Sequence, residues 1–123
     1  MSRYFSYDTD KMLGCSCGCG ERKMSPAFLD LMDQIRHSLG EPLTVTSGYR
    51  CPDHNDKVSS TSRTGPHTTG RAIDIKADSR MRFLLIQAAL KQGITRIGVA
   101  DNFIHLDALG ELDGFPSPRV WSY

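Results

Sequence analysis

The sequence predicts an α+β domain, a small antiparallel sheet backed by helices. Three observations predict it. Apolar residues recur at helical spacing over residues 25–39. The run Arg71-Ala-Ile-Asp-Ile-Lys76 alternates as a half-buried strand does. Two further short β-rich runs flank Asp101-Asn102 near the C-terminal end, after a second helical segment.

In chain order, residues 1–24 are rich in Gly and Cys and read as an irregular wrap that adds few core residues. Tyr4, Phe5, Tyr7, Met12 and Leu13 are its candidate anchors. Ser25 suits an N-cap and Pro26 the first helical position. Phe28, Leu31, Met32, Ile35 and Leu39 then form one apolar face, and Gly40 and Pro42 end the helix. His37 falls off that stripe and reads as a surface residue.

A short strand is expected at Leu43–Ser47, followed by a loop from Gly48 to about Gly70. Structureless loops longer than about 12–15 residues usually serve a function or are disordered. Strand Arg71–Lys76 puts Ile73 and Ile75 on one face and Ala72 and Asp74 on the other. A helix follows over Ser79–Gln92, with Phe83, Leu84, Ile86, Ala88 and Leu90 as its apolar surface. Strands at Thr95–Ala100 and Phe103–Leu109 complete the sheet, and the tail ends with Trp121 and Tyr123 as candidate anchors.

The 123 residues suit one domain spanning residues 1–123. With 15 basic and 14 acidic residues the charge is nearly balanced, which argues against nucleic acid as the main partner. No run approaches the roughly 20 apolar residues that span a bilayer. The start of the chain has no apolar signal segment, so a monomer synthesised in the cytoplasm is expected, reaching any outside target by lysis or another route.

The four cysteines are Cys15, Cys17, Cys19 and Cys51. The CxCxC run lacks the CxxC spacing of common zinc knuckles. Reduced thiols in a Gly-rich loop, a disulfide from Cys51 back to the cluster, and a second metal are all compatible with it.

The residues that carry chemistry are His67, Asp74 and His105. Aspartate is a poor strand former, and a partly buried carboxylate needs a cation, a metal or hydrogen bonds. His67 precedes Asp74 by seven residues across a Thr69-Gly70 turn that can fold back over the strand. In Phe103-Ile-His-Leu-Asp107, His105 and Asp107 share a face. If this strand neighbours that of Asp74, two imidazoles and one carboxylate meet, a known catalytic zinc set with an open fourth position.

Ser47-Gly-Tyr-Arg50, His67-Thr-Thr-Gly-Arg-Ala-Ile-Asp74 and Phe103-Ile-His-Leu-Asp107 together resemble the zinc D-alanyl-D-alanine carboxypeptidases. That family includes L-alanyl-D-glutamate endopeptidases of phage lysins and shares its fold with the hedgehog signalling domain. The resemblance runs from about residue 25 to the C-terminus. It implies Zn²⁺ held by His67, Asp74 and His105, and a peptidoglycan stem peptide as substrate. Arg50 would face the substrate carbonyl or carboxylate, for which its planar fork is suited. Relatives carry an acidic general base a few positions before the last histidine. Here Asn102 stands at the usual place, leaving Asp101, one step further back, as the candidate and Asp107 as the runner-up, with orientation of a ligand or an arginine as the alternative role of Asp107. Gly65 departs from a serine common in relatives. His54 and Asn55 belong to the same loop, His54 as a surface group or, less simply, a ligand beside the cysteines. The resemblance leaves two outcomes open, a cell-wall carboxypeptidase or endolysin-type endopeptidase, and a zinc-bound binding module without turnover.

Overall fold

Ser25 starts the first helix as its chemistry dictates. Its hydroxyl accepts from the Phe28 amide at 3.3 Å, and Pro26 opens α1, Pro26–Leu39. The computed structural model describes residues 3–123; Met1 and Ser2, the beginning of the expected N-terminal wrap, lie outside the described residues. Phe28, Met32 and Ile35 are buried, joined by Leu29, and His37 is exposed beside Tyr4. The N-terminal segment gives the core more than expected: Phe5, Leu13 and Met24 are buried, while Met12 is exposed.

Strands β1 (Val45–Ser47), β2 (Ala72–Lys76), β3 (Arg96–Val99), β4 (Phe103–Asp107) and β5 (Arg119–Ser122) form one sheet in the order β1-β2-β4-β3-β5. All neighbours are antiparallel except β3 and β5, which run parallel. The tail thus supplies a strand that its turn-rich sequence conceals. Between β1 and β2, the expected loop contains a short helix α2, Pro52–Val58, and a 3-10 turn, Pro66–Thr69. The sequence Pro-Asp-His-Asn-Asp-Lys-Val has no apolar stripe, and only Asn55 is buried, so no periodicity announces α2.

Between β2 and β3 lies α3, Ser79–Lys91, capped by the Asp78 carboxylate. Its core residues are Leu85, Ala88 and Ala89; Phe83 and Leu90, expected to pack inward, are exposed. The smaller alanines let α3 approach closely, turning its bulkier residues outward.

Antiparallel register decides what each sheet face carries, because residues directly opposite one another share a face. Ile73, Leu106 and Ile97 are aligned, as are Ile75, Ile104 and Val99. These side chains meet α1 and α3 in the core. The other face carries the row Asp74–His105–Gly98–Trp121 and beside it the row Ala72–Asp107–Arg96–Arg119. A one-residue slip would exchange the two faces, so burying the isoleucines also fixes where the polar groups stand.

Candidate metal centre

Asp74 in β2 and His105 in β4 are direct cross-strand partners. His67 comes from the 3-10 turn just before β2, which Pro66 opens and Gly70 closes. The turn is fastened where the Arg50 amide donates to the His67 carbonyl at 3.0 Å. His67 Nε2 lies 3.3 Å from Asp74 Oδ1, and His105 Nδ1 lies 2.9 Å from the same oxygen. The structure therefore brings His67, Asp74 and His105 together, with their ligand atoms within 4.8 Å of one another.

Hydrogen bonding defines which ring nitrogens are free. His67 Nδ1 donates to the Gly48 carbonyl at 2.7 Å, so in the neutral ring Nε2 presents a lone pair to Asp74. His105 Nε2 lies 2.7 Å from Asp107 Oδ2. With its proton on that side, His105 Nδ1 presents a second lone pair to the same carboxylate. Burial by itself raises the Asp74 pKa, but contacts with His105 and His67 outweigh it and hold the carboxyl well below its usual range. Burial lowers His105, while Asp107 and Asp74 pull it upward more strongly.

Asp107 is fully buried, at 0% exposure. Its Oδ1 accepts from Arg96 Nε at 2.9 Å and from the Leu109 amide at 3.2 Å. Both oxygens are thus engaged, and its place is behind His105, where it orients the ring as carboxylates do for metal-bound histidines. Arg96 donates onward to the Pro116 carbonyl at 2.7 Å, and its guanidinium packs over Trp121 and Phe115. Sequence reading missed Arg96. The signal was present, since Arg96 lies on the polar face of an alternating strand, but its partner is known only once β3 and β4 pair. Trp121 lies with its ring 5.3 Å from His105. A Cβ at Gly98 would come within 2.7 Å of the indole nitrogen, so only glycine there leaves room for it.

The cluster opens into a cavity of about 610 Å³ lined by Arg50, His67, Asp74, His105, Trp121 and Tyr123 among others. Among the described residues on that lining, Asp74 is the only acidic one, against the arginines Arg50, Arg96 and Arg119. Among the described residues, Arg50 Nε is the one buried side-chain nitrogen or oxygen without a hydrogen-bond partner. Burial lowers the pKa of Arg50, while the fields of Asp74 and Tyr123 raise it in part. A half-buried arginine with an idle donor favours an anion beside it.

Asp101 does not join this group. It is exposed in the β3–β4 turn, where its carbonyl accepts from Arg82 Nη1 at 2.6 Å, and it does not line the cavity. Gly65 has no room for a side chain, because a Cβ would collide with Thr61. His54 lies outside the cluster, with Nε2 3.2 Å from Ser16 Oγ.

The three ligands fit zinc. Two imidazole lone pairs and a carboxylate converge without a proton donor between them when the rings are neutral, an arrangement that a cation resolves. Zinc bonds of about 2.0–2.2 Å in a tetrahedron place neighbouring donors roughly 3.3–3.6 Å apart; here the His67 nitrogen stands 3.3 Å and the His105 nitrogen 2.9 Å from the Asp74 oxygen. No curated protein matches the chain. The model of one family, peptidase M15, matches residues 5–107, a span that includes Arg50 and all three ligand candidates. No helix among the described residues is long and apolar enough to cross a membrane. On that match and this geometry, the chain belongs to the peptidase M15 family, whose members are zinc-dependent.

Proposed function

We propose that the chain is a zinc metallopeptidase that hydrolyses a peptide bond in the stem peptides of bacterial peptidoglycan. The observation that carries this reading is the convergence of His67, Asp74 and His105 at the floor of a cavity whose wall holds Arg50 with an unused donor. When bound, zinc supplies a Lewis acid and a water whose pKa is brought toward about 7.

The chain's own residues do the rest. His67 Nε2, an Asp74 oxygen and His105 Nδ1 hold the metal. Asp107 keeps the His105 proton on Nε2, and Arg96 holds the other Asp107 oxygen in place. Arg50 receives a substrate carboxylate or the oxyanion that develops on the scissile carbonyl. The cationic lining suits stem peptides, which carry free carboxylates. Residues 1–123 act in this reading as one monomeric domain.

Of the two candidate bases, Asp107 is assigned to orientation, since both its oxygens are engaged. Asp101 retains the base role only if substrate draws the β3–β4 turn inward. The absence of any acid on the lining other than Asp74 favours a second reading, a zinc-bound module that holds the peptide without cleaving it. Mass spectrometry of purified muropeptides incubated with the zinc-loaded chain separates the two. A new fragment, absent with His67→Ala, establishes hydrolysis and identifies the bond. Unchanged muropeptides that nevertheless bind the chain establish the module.

A further inference from the structure

A second set of metal ligands lies in the N-terminal segment. The sulfurs of Cys15, Cys17, Cys19 and Cys51 all lie within 4.8 Å of one another. Cys15 and Cys17 are 3.4 Å apart and Cys17 and Cys51 3.6 Å, and all four cysteines are free. Four thiolates around zinc at about 2.3 Å stand roughly 3.8 Å from their neighbours.

The surrounding backbone agrees with thiolates. The amide of Cys51 donates to Cys15 Sγ, that of His54 to Cys51 Sγ and that of Glu21 to Cys19 Sγ, each at 3.4 Å. Such donors stabilise negative sulfur and orient ligands. Gly18 and Gly20, at φ of 93° and 77°, bend the chain between and after the cysteines, and the four sulfurs gather within 4.8 Å of one another. Between Leu13 and Met24 only Gly14, which has no side chain, is buried and Cys15 alone packs partly against the core, so apolar packing does little to hold the shape of this stretch.

We propose that Cys15, Cys17, Cys19 and Cys51 bind a second, structural zinc ion. Four thiols lose their protons and Zn²⁺ takes four Zn–S bonds, leaving no open coordination position and no role in hydrolysis. No oxidant is required, in contrast to a disulfide. The ion ties the N-terminal segment to Cys51, the neighbour of Arg50, and so steadies the cavity wall from behind.

The test uses the full chain purified without added thiols. Elemental analysis is expected to give about two zinc ions per chain, falling to about one in Cys17→Ser/Cys19→Ser and to about one in His67→Ala. Cobalt substitution of the wild type and of His67→Ala should give the sulfur-to-cobalt charge-transfer band of a tetrathiolate. Thiol titration of the unfolded, chelator-treated wild type should count all four thiols. Fewer than four titratable thiols, iron in place of zinc, or cobalt binding without the charge-transfer band would overturn the proposal. If the serine variant does not fold, the cobalt spectrum and thiol count of the wild type still decide. Neither depends on muropeptide cleavage, so failure of the peptidase reading leaves this result standing.

Discussion

Two clusters of ligand side chains lie among the described residues, and they are built in opposite ways. His67, Asp74 and His105 owe their meeting to sheet register and one fastened turn, and all three are buried. The cysteines owe theirs to glycine-rich loop geometry, with Cys17 and Cys19 exposed and backbone amides as their support. The first set has three donors of nitrogen and oxygen and faces a cavity. The second has four of sulfur, and Cys15 lines a separate cavity with residues such as Tyr7, Lys11 and Glu21. A site that must leave a position open needs ligands the metal cannot pull closed, and strands provide that stiffness. A site that only fastens the chain can be assembled from loop, because the metal itself supplies the order.

That contrast can be broken most forcefully at the strand-borne ligands. His105→Ala should remove zinc from the cavity site and abolish muropeptide cleavage, while the cysteine-site cobalt band persists. Loss of both metals together would show that the two clusters are one folding unit. Next in size, Arg50→Ala should retain zinc but lower kcat/KM by about 10²–10³-fold, the usual cost of one lost oxyanion donor. Arg50→Lys should recover little, since an ammonium lacks the planar fork. Asp107→Asn should weaken zinc affinity at the cavity site by about 10–100-fold, measured by competition with a chromophoric chelator, because its ring partner is no longer held by a charge. The smallest effect is expected at Asp101→Asn, which should change turnover less than about twofold. A loss above tenfold with zinc retained would return the base role to Asp101.

The sheet and the first helix were legible because their signals are local and strong. Ser25-Pro26 with a helical apolar stripe specifies α1, and strict alternation in Ala72–Lys76 and Phe103–Asp107 specifies both the strands and the faces of Asp74 and His105. The signals failed where burial does not follow period. The strand β5 is mostly exposed and lies after a Pro-rich turn, so no alternation marks Arg119–Ser122. In α3 the large apolar residues were assigned to the core, yet Leu85 with two alanines fills it. The support of the site was harder still. Asp107 reads as a candidate base or as a group that orients a ligand or an arginine, and Arg96 is identified as its partner only once β3 and β4 pair.

The placement of Trp121 beside His105 has a practical consequence. It is the only tryptophan in the chain, and its indole sits in the space that Gly98 leaves open next to a ligand candidate. Its fluorescence therefore originates at one known point of the molecule. Occupation of the neighbouring imidazole by a metal, or entry of a peptide into the cavity, alters the polarity and quenching around that ring, so both events can be followed by emission from the unlabelled protein.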